Sequence, residues 1–240
     1  MIPRYCPGFD IKEFKMLFSN VDNIIEIFEE KFSKLVGCKH AISFSYGRSA
    51  FYSIIKSFNI SNSEIILPSF SCSAVPFVIL ETNNLPVFVD ISLDNYNMRV
   101  NDAVTKINTK IKAIVPIYMY GYPLDIKILR EEVNENIIII EDAALAILTK
   151  DIGKYGDIQF YSFGAFKQLH TCNGGIVTTN NSEYYEKIKK FREQKYHNRS
   201  FYANFKRLLS IIICCQLYKK WFYNIYNIWH ENYLRNFYNN

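Results

Sequence analysis

The sequence has no Cys-x-x-Cys pair, and its six cysteines, at positions 6, 38, 72, 172, 214 and 215, form no Cys/His cluster with zinc-ligand spacing. That absence removes a structural zinc site and a redox dithiol, and the set reads as reduced thiols of a cytoplasmic protein. No run reaches the ~18 apolar residues of a membrane-spanning helix. The opening MIPRYCPGFDIKEF lacks a basic start followed by an apolar core, so it does not read as a signal peptide. Internal repeats and low-complexity linkers are also missing. What is there is ordinary globular material, 240 residues that are 49% hydrophobic and 21% charged. This excludes intrinsic disorder, collagen-like repeats and a small disulfide scaffold, and gives room for one or two domains with a buried core. The 16% aromatic content, with abundant Ile and Asn, reads as the codon bias of an AT-rich genome rather than as chemistry.

Charge is unevenly spread. Residues 182–240 carry 11 Lys/Arg against 4 Asp/Glu, whereas residues 1–181 carry 17 against 19. A basic tail suits phosphate, nucleic acid or an anionic membrane, or is simply a solvated helix face. No nucleic-acid-binding motif accompanies it. The stretch FKRLLSIIICCQLYKKWFYNIYNIWHENYLRNFY is helical in period, apolar and aromatic, and Arg207 and Lys219 bracket eleven uncharged residues within it. It reads as a core or interface helix pair, or as an amphipathic segment in peripheral contact with a membrane surface.

From residue 40 onward, short β-branched runs alternate with helical stretches. Strands are predicted over 40–45, 64–67, 86–91, 111–117, 136–141, 158–163 and 175–179. Helices are predicted over 47–58, 71–83, 101–107, 124–134 and 182–194, with Pro76 either in the first turn of the second or kinking it, and Ser182 capping the last. The runs KAIVPI and NIIIIE are continuously apolar, as in strands covered on both faces. The expected fold is α/β: a three-layer α/β/α sandwich around a mostly parallel mixed sheet, followed by a helical C-terminal tail.

Ligands in such sheets bind beyond the carboxyl ends of the strands, so the polar residues there are the candidates. After the first strand, Ser45-Tyr46-Gly47-Arg48-Ser49 enters a helix, and a glycine turn at a helix start suits phosphate. After NIIII come Glu141 and Asp142. An acid at the end of a buried strand needs a partner: either it caps a helix or it faces a buried cationic ligand atom. After the sixth strand, Lys167 sits in the apolar, glycine-bounded stretch SFGAFKQLHTCNGG, where desolvation favours an amine nucleophile.

In chain order the motifs GCKHAISFSYGRSAF, EIILPSFSCSAV, LPVFVDI, KAIVPIYMYGYPLDI, IIIIEDAALAI and GDIQFYSFGAFKQLHTCNGGIVTTN resemble the DegT/DnrJ/StrS family of nucleotide-sugar aminotransferases, fold type I pyridoxal 5'-phosphate enzymes. The resemblance runs from Met1 to about Gln194. It implies an N-terminal arm and helix over 1–35, a cofactor-binding large domain over 36–198 and the tail over 199–240. It implies that Lys167 condenses with the cofactor aldehyde and later shuttles a proton, and that Asp142 pairs with the pyridinium nitrogen. It further implies that Ser162 and the backbone at Gly47, Arg48 and Ser49 bind the cofactor phosphate, and that Phe70 and Cys72 lie in the loop that stacks on the ring. The implied reaction is transfer of an amino group, from glutamate as the usual donor, to a keto sugar on a nucleotide diphosphate, for polysaccharide or glycan biosynthesis by a cytoplasmic homodimer. Three departures stand out. Leu145 takes the place of a Gln or His, Tyr118 takes the place of a His, and no counterpart of the family's smaller C-terminal domain follows residue 200. A shortened, catalytically inactive chain acting as a partner subunit or remnant is the alternative those departures leave open.

Overall fold

Apolar runs without polar alternation demand cover on both faces, and the two found in the sequence form central strands of one seven-stranded sheet. A computed structural model describes residues 23–164, 167–171 and 173–196. The expectations for residues 1–22 and for the tail over 199–240 lie outside the described residues. The elements are α1 (Ile24–Val36), β1 (His40–Phe44), α2 (Gly47–Ser57), β2 (Glu64–Pro68), α3 (Ala74–Glu81), β3 (Leu85–Val89), α4 (Val100–Thr105), β4 (Ile111–Ile114), a 3-10 turn (Met119–Gly121), α5 (Ile126–Glu132), β5 (Ile138–Asp142), β6 (Ile158–Ser162), β7 (Gly175–Thr179) and α6 (Ser182–Lys195). Among the described residues no helix is long and apolar enough to cross a membrane.

The strands lie in the order β1-β7-β6-β5-β4-β2-β3. All neighbours are parallel except β7, which is antiparallel to both β6 and β1. One residue in two therefore faces each layer. Ile65, Leu67, Ile140, Phe160 and Val177 pack with α2, α3 and Ile188 of α6. Ile66 and Ile139 pack with α4 and α5, and Tyr161 and Ile176 with Phe32 of α1. The mixed three-layer sandwich expected from the sequence is the fold observed.

Two glycines set the approach of α2 to the sheet. A Cβ on Gly175, the first residue of β7, would sit 2.5 Å from the backbone of Tyr46 and Gly47, and one on Gly47 would sit 2.9 Å from Ser162 Cβ. Only residues without a side chain let the start of α2 rest against the ends of β6 and β7.

Several boundaries differ from expectation. The strand predicted over 111–117 pairs as a strand only to Ile114, because the chain leaves β2 and turns toward Asp142, bridging it from Ile117. The helix predicted over 71–83 is α3, with Pro76 in its first turn. The cap of α6 is Asn181 rather than Ser182: its side chain accepts from the Glu183 N–H at 2.9 Å and the Tyr184 N–H at 3.2 Å. The Ser182 hydroxyl pairs instead with His40 Nε2.

The outer edge of β1 is closed by a polar clasp. Glu29 Oε1 accepts from the Ser43 N–H at 2.6 Å, the Ser43 hydroxyl at 2.7 Å and Arg192 Nη1 at 2.5 Å. This ties α1, β1 and α6 together and satisfies an edge N–H that would otherwise template aggregation. Glu29→Ala is expected to lower stability by about 2–4 kcal/mol, because it strands a half-buried guanidinium and a backbone donor at once. A urea midpoint equal to that of the parent would contradict this.

Candidate active site

Because β1, β2, β4, β5 and β6 run the same way, their carboxyl ends share one edge of the sheet, and the polar residues that follow them converge there. A cavity of about 210 Å³ opens at that edge. Gly47 and Arg48 at the start of α2, Cys72 from the loop after β2, Asp142 at the end of β5, Ser162 at the end of β6 and Lys167 just beyond it all line it. Its other walls are apolar, from Phe51, Val75, Ile117, Met119, Leu145 and Phe160 among others. A concave, mostly apolar space with a few convergent polar groups is the usual form of a small-molecule site.

Among the described residues no side chain caps α2, and Gly47 and Arg48, at the positive end of its dipole, line the cavity. Ser162 lies against them, at the van der Waals limit set by Gly47. Asp142 is buried, and its Oδ1 accepts from the Ala144 N–H at 2.9 Å. Burial pushes its carboxyl up to about 6, against the pull of that N–H and of the Lys167 charge. Lys167 is half-buried, so its desolvation is partial, and the Lys167 N–H is anchored on the Gly164 carbonyl at 3.1 Å. An uncapped helix start beside a serine suits a phosphate, and a buried carboxylate beside an amine suits a ligand that brings a cationic ring nitrogen.

The two acids at the end of β5 divide between the faces of the sheet. Glu141 points away from the cavity and is fully buried, accepting from Tyr118 Oη and, at 3.1 Å each, from the Gly153 N–H and Gln159 Nε2. Burial pushes it up to about 7 in spite of these donors. Tyr118 therefore serves the structural acid, while its neighbours Ile117 and Met119 line the cavity.

Two of the expected site residues lie outside the cavity lining. Phe70 packs its ring on Tyr96, with centroids 5.8 Å apart, instead of covering the cavity. Ser49 sits inside the first turn of α2, and its carbonyl accepts from the Ser53 hydroxyl at 2.7 Å. The lining residues that sequence reasoning passed over are apolar. Ile117 and Met119 follow β4 at the same edge that singled out the polar candidates, and that position was the signal available.

Asp142 also fixes a pH dependence. Its carboxyl titrates near 4 in an unfolded chain and at about 6 in the folded one. Between those values the native state holds the extra proton, so stability falls as pH rises through the window and stays lower above it. Without ligand, Asp142→Asn is expected to unfold at higher urea than the parent near pH 8, by roughly 2 kcal/mol. The gap should close near pH 4, and urea melts of both proteins across that range measure it. A gap that widens toward acid refutes the assignment.

A model of the DegT/DnrJ/EryC1/StrS aminotransferase family matches residues 16–210. The chain is 32% identical over 208 residues to GDP-perosamine synthase of Vibrio cholerae, covering 81% of this chain and 57% of that protein. Among solved structures it resembles Helicobacter pylori PseC, an aminotransferase involved in the biosynthesis of pseudoaminic acid, with a TM-score of 0.73 and 26% identity over 83% of this chain and 58% of that one. It also resembles NtdA from Bacillus subtilis with bound cofactor PMP, with a TM-score of 0.70 and 26% identity over 79% of this chain and 45% of that one. The chain thus spans about half the length of these relatives, from 45% to 58%. On the family match and the shared fold, this chain belongs to the DegT/DnrJ/EryC1/StrS aminotransferase family.

Proposed function

We propose that the protein is a pyridoxal 5'-phosphate-dependent aminotransferase that moves an amino group from glutamate to a nucleotide-linked keto sugar, serving polysaccharide or glycan biosynthesis. One observation carries the reading: a buried Asp142 and a half-buried Lys167 line the same cavity, beside the uncapped start of α2 and Ser162. The names of the relatives supply the substrate class, since GDP- and UDP-linked sugars occur among them.

When bound, the cofactor supplies an aldehyde for amines and a ring that withdraws the electron pair released at the substrate carbon. The residues divide the remaining work. The N–H groups at Gly47 and Arg48, with the Ser162 hydroxyl, would hold the phosphate at the positive end of α2. Asp142 keeps a proton on the ring nitrogen, and that cation offsets the burial that raises its own carboxyl. Lys167 Nζ would be the amine that holds the cofactor and the base that moves a proton at the substrate carbon. Leu145, Met119 and Phe160 keep water from the reacting atoms. Cys72, from the loop after β2, lines the cavity where Phe70 does not, which favours it over Phe70 as the residue of that loop against the ring. A homodimer, the usual assembly for this fold, supplies the rest of the substrate enclosure in this reading.

Incubation with pyridoxal 5'-phosphate should give a visible absorbance band, and borohydride should then fix the cofactor's mass on the peptide that contains Lys167. Glutamate, added before reduction, should bleach that band toward the pyridoxamine form. Lys167→Ala should lose both band and mass. Asp142→Asn should keep the mass and slow the bleaching by about 10²-fold or more. Recovery of unlabelled Lys167 peptide from the supplemented, reduced protein would falsify the reading.

A further inference from the structure

Three aromatic rings outside the cavity lining form an exposed cluster on the loops that leave the same edge of the sheet. Phe70 follows β2, Tyr96 follows β3 and Tyr120 follows β4. The Phe70 and Tyr96 centroids are 5.8 Å apart, and those of Tyr96 and Tyr120 are 6.0 Å apart. Exposure is 42% for Phe70, 43% for Tyr96 and 61% for Tyr120, so none of the rings is spent on the core. The cluster is continuous with the cavity. Met119, which lines it, directly precedes Tyr120, and a Cβ on the following Gly121 would lie 3.4 Å from the carbonyl of the lining residue Leu145.

The backbone beneath the rings is strained and clamped. Seven described non-glycine residues have positive φ; five are Asn or Asp, which tolerate it, and the others are Tyr96 at 60° and Tyr120 at 54°. Bulky residues persist in the left-handed region only where their surroundings hold them there, and such sites gather where ligands bind. The clamp is Asn97, which is buried. Its Oδ1 accepts from the Met119 N–H at 2.9 Å, and its Nδ2 donates to the Tyr122 and Pro123 carbonyls at 3.2 and 3.0 Å. One side chain thus locks the loop bearing Tyr96 to the turn bearing Tyr120.

We propose that Phe70, Tyr96 and Tyr120, whose rings are inclined to one another by 47° and 86°, form an aromatic platform for the base of the nucleotide-linked substrate, one ring against its face and another against its edge, outside the cavity that takes the sugar. The inference rests on the functional reading above and adds the subsite that recognises the nucleotide. A flat heteroaromatic ring is the occupant the chemistry favours, because every base offers a π-face to exposed aromatic side chains held in fixed relation.

Calorimetric titration of the full chain in pyridoxal-phosphate buffer with GDP, UDP and inorganic pyrophosphate tests the proposal. Both nucleotides should bind at least tenfold more tightly than pyrophosphate. Tyr120→Gly and Tyr96→Gly should each cost the nucleotides about fivefold or more and leave pyrophosphate unaffected. Because glycine relaxes a positive φ, Tyr120→Gly should also melt no lower than the parent. Unchanged nucleotide affinity in both variants overturns the platform. So does a lowered melting point for Tyr120→Gly, which would make its ring a packing element. Dissociation of a parent dimer by either variant with nucleotide affinity intact would assign the rings to contact between two copies, and likewise overturns it. Lys167 labelling is read in parallel. Labelling retained with nucleotide affinity unchanged removes the platform alone, while loss of labelling in the parent removes the functional reading and the platform with it.

Discussion

The site depends on two missing methyl groups. At Gly47 and Gly175 the backbone of α2 comes closer to β6 and β7 than any residue with a side chain allows. That closeness brings uncapped N–H groups and the Ser162 hydroxyl to one point. It also fixes where the positive end of the helix lies relative to Asp142 and Lys167, which arrive from the neighbouring strand ends. The rest of the sandwich, with its two helix layers and seven strands, holds these few atoms still.

The adjacent acids of β5 show how one strand serves fold and chemistry together. Because successive side chains point to opposite faces, Glu141 enters a closed set of donors and Asp142 enters the cavity with a single backbone donor. Both are pushed toward the neutral form by burial, and Asp142 is the one that shares its surroundings with a positive charge, that of Lys167. A fold that leaves a carboxylate so poorly served keeps a site it does not need for stability.

Much of this was legible in the chain itself. The parallel core was readable because continuous apolar runs have no solvent face to mark. Gly47, Asp142 and Lys167 were readable because each is a polar or glycine residue at or just beyond a strand end, where open sheets bind their ligands, and Ser162 was singled out by the resemblance to the family. Other features were hidden for physical reasons. Met119 and Ile117 carry no chemistry of their own and are functional only as walls. Asn181 and Ser182 are both good caps, and the choice between them turned on His40, which takes the serine across 142 residues of sequence. Phe70 has the composition of a cofactor-stacking residue, but its partner Tyr96 lies in a loop whose left-handed backbone gives no sequence signal.

The antiparallel placement of β7 has a consequence for how the molecule assembles. Among the described residues β1 pairs with no strand other than β7, matching His40 with Thr179 and Phe44 with Gly175. The earliest strand of the sheet must therefore wait, during synthesis, for the last. Closing so long a loop is slow and precedes any reward from contacts. The β1–α2 turn, a phosphate cradle in our reading, gains its final shape only when Gly175 slides under Gly47. The binding centre and the finished sheet are thus completed in one late event, and a nascent chain cut before that point would own neither.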